Sequence, residues 1–179
     1  MHYPHKLFVY GTLKRGFYNH NVYLGKAEAC QTAVYIGTAV TTQQANDDDD
    51  DALQLELRGP RNVPALFRKR GSKNNDNCLP IRGEVYHITE GVLQAMDILE
   101  GVATGFYYRT KIPVALQSDD SVLNCWVYLQ KESSKDDDNH DGVAQPTNYA
   151  EYTTELHARY IPPTVEPNPE ILKLLEMFL

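Results

Sequence analysis

The stretch that decides the fold is LFVYGTLKRG, residues 7–16. Its first four residues are apolar, the run stops at Gly11, and a polar loop follows as far as Gly16. Four consecutive apolar residues bounded by turn signals are typical of a buried strand. Because glycine has no Cβ, a ligand can approach the backbone closely at Gly11. We therefore expect a buried first strand that ends in a turn, and this turn either holds a ligand or merely reverses the chain.

Outward from this stretch, short strands alternate with polar loops. Runs that are β-branched, aromatic or alternating in polarity predict the strands. Pro64 restricts its own strand to a sheet edge or a bulge, because proline has no N–H to donate to a neighbouring strand. The predicted strands cover residues 7–10, 33–42, 53–57, 62–67, 81–88, 106–116 and 123–130.

The segment TEGVLQAMDILEG, residues 89–101, changes to helix periodicity. Thr89 is a suitable N-cap, Glu90 lies in the first turn, and Gly101 is a suitable C-cap. Apolar residues at 92, 93, 96 and 99 form the stripe of an amphipathic helix. Further helices are predicted over about 149–160 and, after the breaker PPTVEPNP, from 169 or 170 to 179.

The order of these elements predicts one α+β domain over residues 1–179, with a small mixed, strongly curved sheet or β-barrel flanked by a few helices. A chain of 179 residues is long enough to bury the core of one such domain. Polar loop insertions are expected near 43–52, 70–78 and 132–145, and a helical tail over 149–179.

The net charge of −7 comes from aspartate runs and not from the folded part of the chain. Nine aspartates at 47–51, 136–138 and 141 account for it, since the remaining residues carry a net charge of +2. Such runs are typical of solvated loops. The sequence contains no basic stripe with interleaved aromatic residues, which argues against nucleic-acid binding.

Cysteine usage and hydropathy indicate the compartment. Cys30, Cys78 and Cys125 include no C-x-x-C pair, which favours a reducing environment. The N-terminal residues show no apolar signal segment, and no apolar run approaches the ~20 residues needed to cross a membrane. We expect a soluble, cytoplasmic and monomeric protein that does not bind membranes.

The common metal and cofactor motifs do not fit this sequence. The six histidines do not cluster at metal-ligand spacing. GTLKRG has the glycine spacing of a phosphate loop, but Phe17 and Tyr18 stand where that loop needs Lys and Ser or Thr. No nucleophile elbow or Cys–His pair is apparent either. We therefore expect neither a metal nor a cofactor.

Glu100 breaks two local rules. At about 100° per residue, its side chain falls within the apolar stripe of the predicted helix. It also lies at the helix C-terminus, where the macrodipole disfavours an anion. A carboxylate placed in this way has a raised pKa, as a general base near neutral pH requires. The alternative is a last-turn Glu that points to solvent or caps a backbone amide.

Two segments in register carry a resemblance to a known family. VYGTLKRG, followed by Asn19 and His20, resembles the substrate-binding turn of the γ-glutamylcyclotransferase-like superfamily, which includes γ-glutamylamine cyclotransferase and plant AIG2-like proteins. GEVYHI and MDILEGVATGFYYR resemble its second signature, in which the acidic residue before a glycine, here Glu100, is catalytic. NVPALF and CWVY match two further segments, so the resemblance covers about residues 7–128.

The resemblance implies a small α+β barrel with a substrate cavity at one end and a reaction without a cofactor. In that reaction, the α-amine of a small γ-glutamyl substrate attacks its own γ-carbonyl, which gives 5-oxoproline and a free amine. Glu100 is the implied general acid and base. The implied substrate-binding residues are Tyr10, Gly11, Thr12, Leu13, Val63, Pro64 and Tyr107.

Some assignments stay open at this point. Tyr107 either hydrogen-bonds to the substrate or Glu100 or packs in the core, and Tyr108 takes this place if the strand phase differs. Arg109 either pairs with a carboxylate or lies on the surface. Three functions remain: a γ-glutamylamine cyclotransferase for γ-glutamyl-ε-lysine-type compounds, a cyclotransferase for γ-glutamyl amino acids or glutathione, and a non-catalytic AIG2-like binding domain. The turn and NVPALF favour the first, whereas LEGVATGFYYR is at least as compatible with the second.

Overall fold

The structure, a computed structural model, describes residues 2–42, 52–69, 79–131 and 148–177. The predicted loops at 70–78 and 132–145, and all but the last residue of the loop at 43–52, lie outside these ranges. Within the described ranges, every helix is too short or too polar to cross a lipid bilayer.

The seven strands in the described part of the chain form one sheet. Each segment predicted as a strand is a strand, and its ends differ from the predicted ones by at most two residues. The strands are β1 (His5–Val9), β2 (Ala33–Thr41), β3 (Ala52–Arg58), β4 (Val63–Lys69), β5 (Arg82–Ile88), β6 (Tyr107–Leu116) and β7 (Val122–Gln130).

Five of these strands close into a barrel. In the order β1-β5-β2-β6-β7, each strand is antiparallel to the next. The barrel closes where β7 returns to β1 in parallel, with Trp126 opposite Leu7. Because this one contact is parallel and the others are antiparallel, the barrel is mixed, and the predicted mixed α+β barrel is confirmed.

A hairpin of β3 and β4 extends the sheet beyond the barrel. β4 pairs with β7 in parallel at Phe67 and Gln130, near the end of both strands. Earlier in β4, where Pro64 lies opposite Leu57, the described pairing is with β3 alone. The edge position predicted for this strand is wrong for β4 as a whole, because β4 lies between β7 and β3 in the sheet. It holds only locally: the described pairing of Pro64 is on one side alone, so the missing proline N–H costs no ladder hydrogen bond there.

Strand β1 is buried on both faces. Leu7 and Val9 belong to the core cluster under the helices, whereas Phe8 belongs to the second cluster, which the strands enclose. Side chains alternate between the two faces of a strand. A strand covered on both faces therefore needs an unbroken apolar run, as the first quoted stretch shows.

Helix α2 (Glu90–Leu99) follows β5; its N-cap is Thr89 as predicted, and its C-cap is one residue before the predicted Gly101. The Thr89 side chain accepts a hydrogen bond from the backbone N–H of Val92 and caps the N-terminus. At the other end, Glu100 is the C-cap, and Gly101 follows in the left-handed conformation with φ of 63°. A positive φ strains residues other than glycine, so Gly101 fixes the end of the helix.

The C-terminal tail contains less helix than predicted. The helix expected over 149–160 is wrong along most of its length, since only α3 (Thr154–His157) is helical there. The preceding backbone bonds to the sheet instead, from the Tyr149 N–H to the Leu55 carbonyl. These tertiary hydrogen bonds outweigh the local helical preference. The final predicted helix is present as α4 (Pro169–Glu176).

Three helical segments were not predicted, and one of them is a single 3₁₀ turn (Val102–Thr104) that follows α2. A π-helical turn (His20–Leu24) runs directly into α1 (Gly25–Ala29), between the first loop and β2. Both are short, and a glycine lies where they join, so the local periodicity is weak. Tyr23, Leu24 and Ala27 are buried in the core under the helices, and this packing stabilises the segment.

Candidate active site

A cavity of about 280 Å³ lies where the end of β1, the start of β4 and the end of α2 meet. The turn after β1 contacts Pro64 of β4, and the end of α2 lies beside them. All eight residues named by the sequence as site candidates line this cavity: Tyr10, Gly11, Thr12, Leu13, Val63, Pro64, Glu100 and Tyr107.

The turn at 10–13 has free backbone donors. The Lys14 N–H donates to the Gly11 carbonyl at 2.9 Å, which closes the turn. Within the described residues, no acceptor is hydrogen-bonded to the N–H groups of Gly11, Thr12 or Leu13. Unpaired backbone N–H groups beside a cavity are suitable donors for an anionic ligand.

The turn is held from its own loop and from β5. The Asn19 side chain donates from Nδ2 to the Thr12 hydroxyl at 2.8 Å. The Arg15 N–H donates to the buried Glu84 carboxylate at 2.9 Å, and the Tyr86 hydroxyl donates to the same oxygen at 3.0 Å. These bonds fix the backbone of residues 10–15 before any ligand is present.

Gly11 is required by packing inside the protein. A Cβ on this residue would lie 2.8 Å from Cγ of Pro64, closer than real Cβ contacts allow. The close approach expected from the sequence is therefore made by Pro64, and this contact fixes the wall that β4 contributes. The sequence suggested that the bare backbone faces a ligand, but its open side is already filled.

Glu100 is partly buried and lines the cavity. Its backbone N–H bonds to the Met96 carbonyl, so it ends the last turn of α2 as the sequence predicts. Within the described residues, its carboxylate has no hydrogen-bond or ion-pair partner. Burial raises the pKa of Glu100 to about 7, because removal from water penalises the charged form. This carboxyl can therefore both accept and donate a proton near neutral pH.

The groups around Glu100 are tyrosines. Burial raises the pKa values of four tyrosine hydroxyls that share this cavity, and the charge of Glu100 adds to each rise. They are Tyr10, Tyr107, Tyr128 and Tyr160. All four rings line the cavity. The acid therefore lies in an aromatic pocket without a neighbouring carboxylate among the lining residues.

The tyrosine hydroxyls differ in availability. Tyr10 donates to the Tyr128 carbonyl at 2.9 Å, and Tyr128 donates to Asp97 at 2.7 Å. Tyr107 has no hydrogen-bond partner among the described residues, although 96% of its surface is buried. Its hydroxyl is therefore free for a ligand. Tyr108 packs in the core enclosed by the strands and does not line the cavity, which answers the question of strand phase.

Arg109 acts away from the cavity. Its guanidinium donates to both oxygens of Asp97 at 2.9 and 2.7 Å. It also lies over the Trp126 ring at 4.6 Å. Of the two readings left open by the sequence, the carboxylate partner is therefore correct, and that partner is an aspartate of α2.

The sequence did not name every residue that lines the cavity, and four of the unnamed ones come from the segments before β4 and β6 and from the C-terminal tail. Phe106 lies in the quoted segment MDILEGVATGFYYR but was not singled out, whereas the other three lie in the turn before β4 and in the C-terminal tail, where no motif or periodicity marks them. Tertiary packing brings all four to the cavity, and they are Arg61, Phe106, Tyr160 and Pro163. In the part of the chain that the structure describes, no group of three His, Cys, Asp or Glu side chains is placed to hold a metal ion.

Comparison with known proteins agrees with this architecture. Residues 7–151 match the family described as "Gamma-glutamyl cyclotransferase, AIG2-like". The chain belongs to this family, because the match covers most of its length. A crystal structure of an AIG2-like protein from Mus musculus superposes with a TM-score of 0.64 at 25% identity, over 92% of this chain and 100% of that one.

Curated relatives carry two kinds of name. A putative gamma-glutamylcyclotransferase of Drosophila melanogaster is 34% identical over 124 residues, which are 69% of this chain and 68% of the relative. A gamma-glutamylaminecyclotransferase of Bos taurus is 34% identical over 122 residues, which are 68% of this chain and 63% of the relative.

Proposed function

We propose that this protein is a γ-glutamyl cyclotransferase in which Glu100 is the general acid and base. The observation that carries the proposal is the position of Glu100: a carboxyl with a pKa of about 7 lines the same small cavity as the turn at 10–13. The reaction closes a five-membered lactam within one molecule, releasing 5-oxoproline and an amine. Well-oriented intramolecular attack contributes on the order of 7–11 kcal/mol, so the protein must mainly fold the substrate and move protons.

The turn at 10–13 is proposed to hold the glutamyl head group. The unpaired N–H groups of Gly11, Thr12 and Leu13 suit the α-carboxylate of that group, and nearby carbonyls suit its ammonium. Burial and the charge of Glu100 both raise the pKa of Tyr107, so its free hydroxyl stays protonated and lies near Glu100. This hydroxyl can donate a hydrogen bond to the γ-carbonyl oxygen as negative charge develops there. Val63 and Pro64 provide the apolar wall against the methylene groups.

Glu100 is proposed to act twice. Its carboxylate first removes a proton from the α-ammonium, because only the neutral amine can attack the γ-carbonyl. The protonated carboxyl then gives a proton to the departing nitrogen, which is a poor leaving group as an anion. A pKa near 7 is suited to both steps, because the carboxyl then gains and loses a proton with little cost.

The leaving group is proposed to be an amine of the lysine side-chain type, as in γ-glutamyl-ε-lysine. The alternative is an amino acid or the cysteinylglycine part of glutathione. Two relatives of equal identity bear names from these two branches, so similarity supports both. A non-catalytic binding domain is the third reading, and a carboxyl poised to titrate near pH 7 in the cavity argues against it.

The test is formation of 5-oxoproline from γ-glutamyl-ε-lysine, γ-glutamyl-alanine and glutathione. We expect product from at least one substrate, and a 10²- to 10⁴-fold lower kcat for Glu100→Gln, which keeps the shape and removes the basicity. The matched control is Glu90→Gln, at the other end of the same helix and outside the cavity. Product from no substrate, or near-normal turnover by Glu100→Gln, would contradict the proposal.

A further inference from the structure

One wall of the cavity is made by the C-terminal tail. Tyr160 and Pro163 line the cavity from a segment that lies beyond residue 151, where the family match ends. Arg61, in the turn before β4, lines the cavity beside them. We call these three residues the tail wall.

Arg61 binds the tail through three hydrogen bonds. Its Nε donates to the Ile161 carbonyl at 2.8 Å, and the Ile161 N–H donates back to the Arg61 carbonyl at 3.0 Å. Its Nη2 donates to the Tyr160 hydroxyl at 3.3 Å. The side chain is therefore held at the cavity, while Nη1 has no partner among the described residues.

The tail wall lies next to the proposed acid. Glu100, Tyr160 and Arg61 line the same cavity, and the Tyr160 hydroxyl accepts a hydrogen bond from Arg61 Nη2. Glu100 is the group that would give a proton to the leaving nitrogen. Since the turn at 10–13 is proposed to hold the glutamyl head group, we expect the atoms attached to that nitrogen on the side of the tail wall.

The charges in the cavity favour an anionic group at this place. Among the described residues that line it, Arg61 carries the single positive side chain and Glu100 the single acidic one. The glutamyl carboxylate already has the backbone donors of the turn. A guanidinium with a free N–H beside an aromatic ring suits a second carboxylate, with the carbon chain of the ligand against the ring.

We propose that the tail wall is the leaving-group subsite, and that Arg61 pairs with a carboxylate carried by the leaving amine. The inference rests on the proposed cyclotransferase function and narrows its substrate class. It selects γ-glutamyl conjugates of amino acids, including lysine joined through its side chain, over conjugates of simple amines and amides. It also gives the segment beyond the family match a role in specificity.

The experiment uses two matched pairs of substrates: γ-glutamyl-alanine with γ-glutamyl-alaninamide, and γ-glutamyl-ε-lysine with its lysinamide analogue. Within the preferred pair, we expect the wild type to have a kcat/KM about tenfold or more higher for the acid than for the amide. Arg61→Gln should remove this preference, with the loss confined to the acid.

The control variant is Asn62→Gly. The Asn62 side chain donates to the Arg159 carbonyl at 2.9 Å and so holds the same tail, but it does not line the cavity. Its φ is +52°, which glycine adopts without strain. Asn62→Gly should keep the acid preference. An equal effect of Arg61→Gln on acid and amide would mean that Arg61 only anchors the tail or binds the glutamyl head, and would overturn the proposal.

Calorimetric binding separates this proposal from the proposed function. If the wild type forms 5-oxoproline, acid and amide are titrated into Glu100→Gln with and without Arg61→Gln. If it forms none, the cyclotransferase assignment fails, and the same titrations into the wild type and Arg61→Gln still decide the role of Arg61. Tighter binding of the acid that depends on Arg61 supports the subsite, and equal binding of acid and amide, or binding of neither, overturns it.

Discussion

Gly11 and Pro64 are in contact at the wall of the cavity, such that a Cβ on Gly11 would lie 2.8 Å from the proline Cγ. Gly11 lies in the turn after β1 and Pro64 in β4, 53 positions later in the sequence. Their contact joins the turn that follows β1 to the start of β4. The shape of the cavity near the turn therefore depends on the absence of one methyl group.

Gly11→Ala is expected to displace β4 or the turn. The proline ring cannot bend away as a flexible side chain can, so the backbone must shift, and overpacking of this kind costs about 1–3 kcal/mol. We expect a lower free energy of unfolding, measured in urea, and a higher KM for the substrate. Pro64→Ala in the Gly11→Ala background removes Cγ and should recover part of the stability, and a lack of any recovery would show that the contact is not the cause.

Glu100 should also make stability depend on pH. Its pKa rises from an ordinary 4.5 to about 7 on folding, so the folded state keeps a proton that the unfolded state loses. Below pH 4.5 the carboxyl is neutral in both states, and there is no penalty. As pH rises through the window from 4.5 to 7, the folded state loses stability, and the loss is complete above pH 7.

Glu100→Gln is therefore expected to be more stable than the wild type at pH 8, by about 1–3 kcal/mol after allowance for partial exposure of the carboxyl. At pH 4 the difference should be close to zero, because both side chains are then neutral. Urea unfolding at the two pH values measures this. Equal stability of the two proteins at pH 8 would mean that the carboxylate is well solvated and has no raised pKa.

The same pKa sets the pH dependence of turnover. The base must be deprotonated in the free enzyme, so kcat/KM should fall about tenfold per pH unit below pH 7. A profile of initial rates of 5-oxoproline formation between pH 5 and 8 shows this limb. The limb should move toward more acidic pH in a variant that opens the pocket to water, such as Tyr160→Ala, because better solvation favours the carboxylate.

Much of the barrel could be predicted because its strands carry strong local signals. The run 7–10 is apolar throughout because β1 is buried on both faces, and Thr89 and Gly101 bound α2 through local backbone geometry. Glu100 could be found because a polar residue on an apolar stripe conflicts with its surroundings. Val63, Pro64 and Tyr107 were named instead through the resemblance of whole segments to a known family.

The rest depends on contacts between distant parts of the chain. Tyr149 bonds to the carbonyl of Leu55, and this contact removes a helix that local preference favours. A hydrogen bond joins Arg61 to Tyr160, which lies 99 positions later in the sequence. A contact between residues so far apart leaves no periodic pattern in the sequence. The packing that requires glycine at position 11 could not be predicted either, because its partner Pro64 lies in the distant strand β4.

Asn19 is expected to fix the Thr12 side chain in the turn. Its amide donates to the Thr12 hydroxyl, so Asn19→Ala frees that hydroxyl to rotate and loosens the turn. We expect KM to rise about three- to tenfold with a smaller change in kcat, as for the loss of one hydrogen bond between neutral groups. In a double-mutant cycle with Thr12→Val, the two effects on KM should not add, and simple additivity would show that the two residues act independently.

Lys14 should be important for docking of the tail on the turn. Its ammonium is almost fully buried, and it donates to the Glu151 carboxylate at 2.8 Å and to the Tyr152 carbonyl at 3.0 Å. Lys14→Met fills the same space but leaves a buried carbonyl unpaired, which costs about 1–3 kcal/mol in the free energy of unfolding. Glu151→Gln is the matched control, because the Gln side-chain oxygen can still accept from the Lys14 ammonium and the Glu151 side chain is 41% exposed, so we expect a smaller loss. Because the tail carries Tyr160, Lys14→Met should also raise KM, whereas equal unfolding free energies of Lys14→Met and the wild type would show that the tail docks without this ammonium.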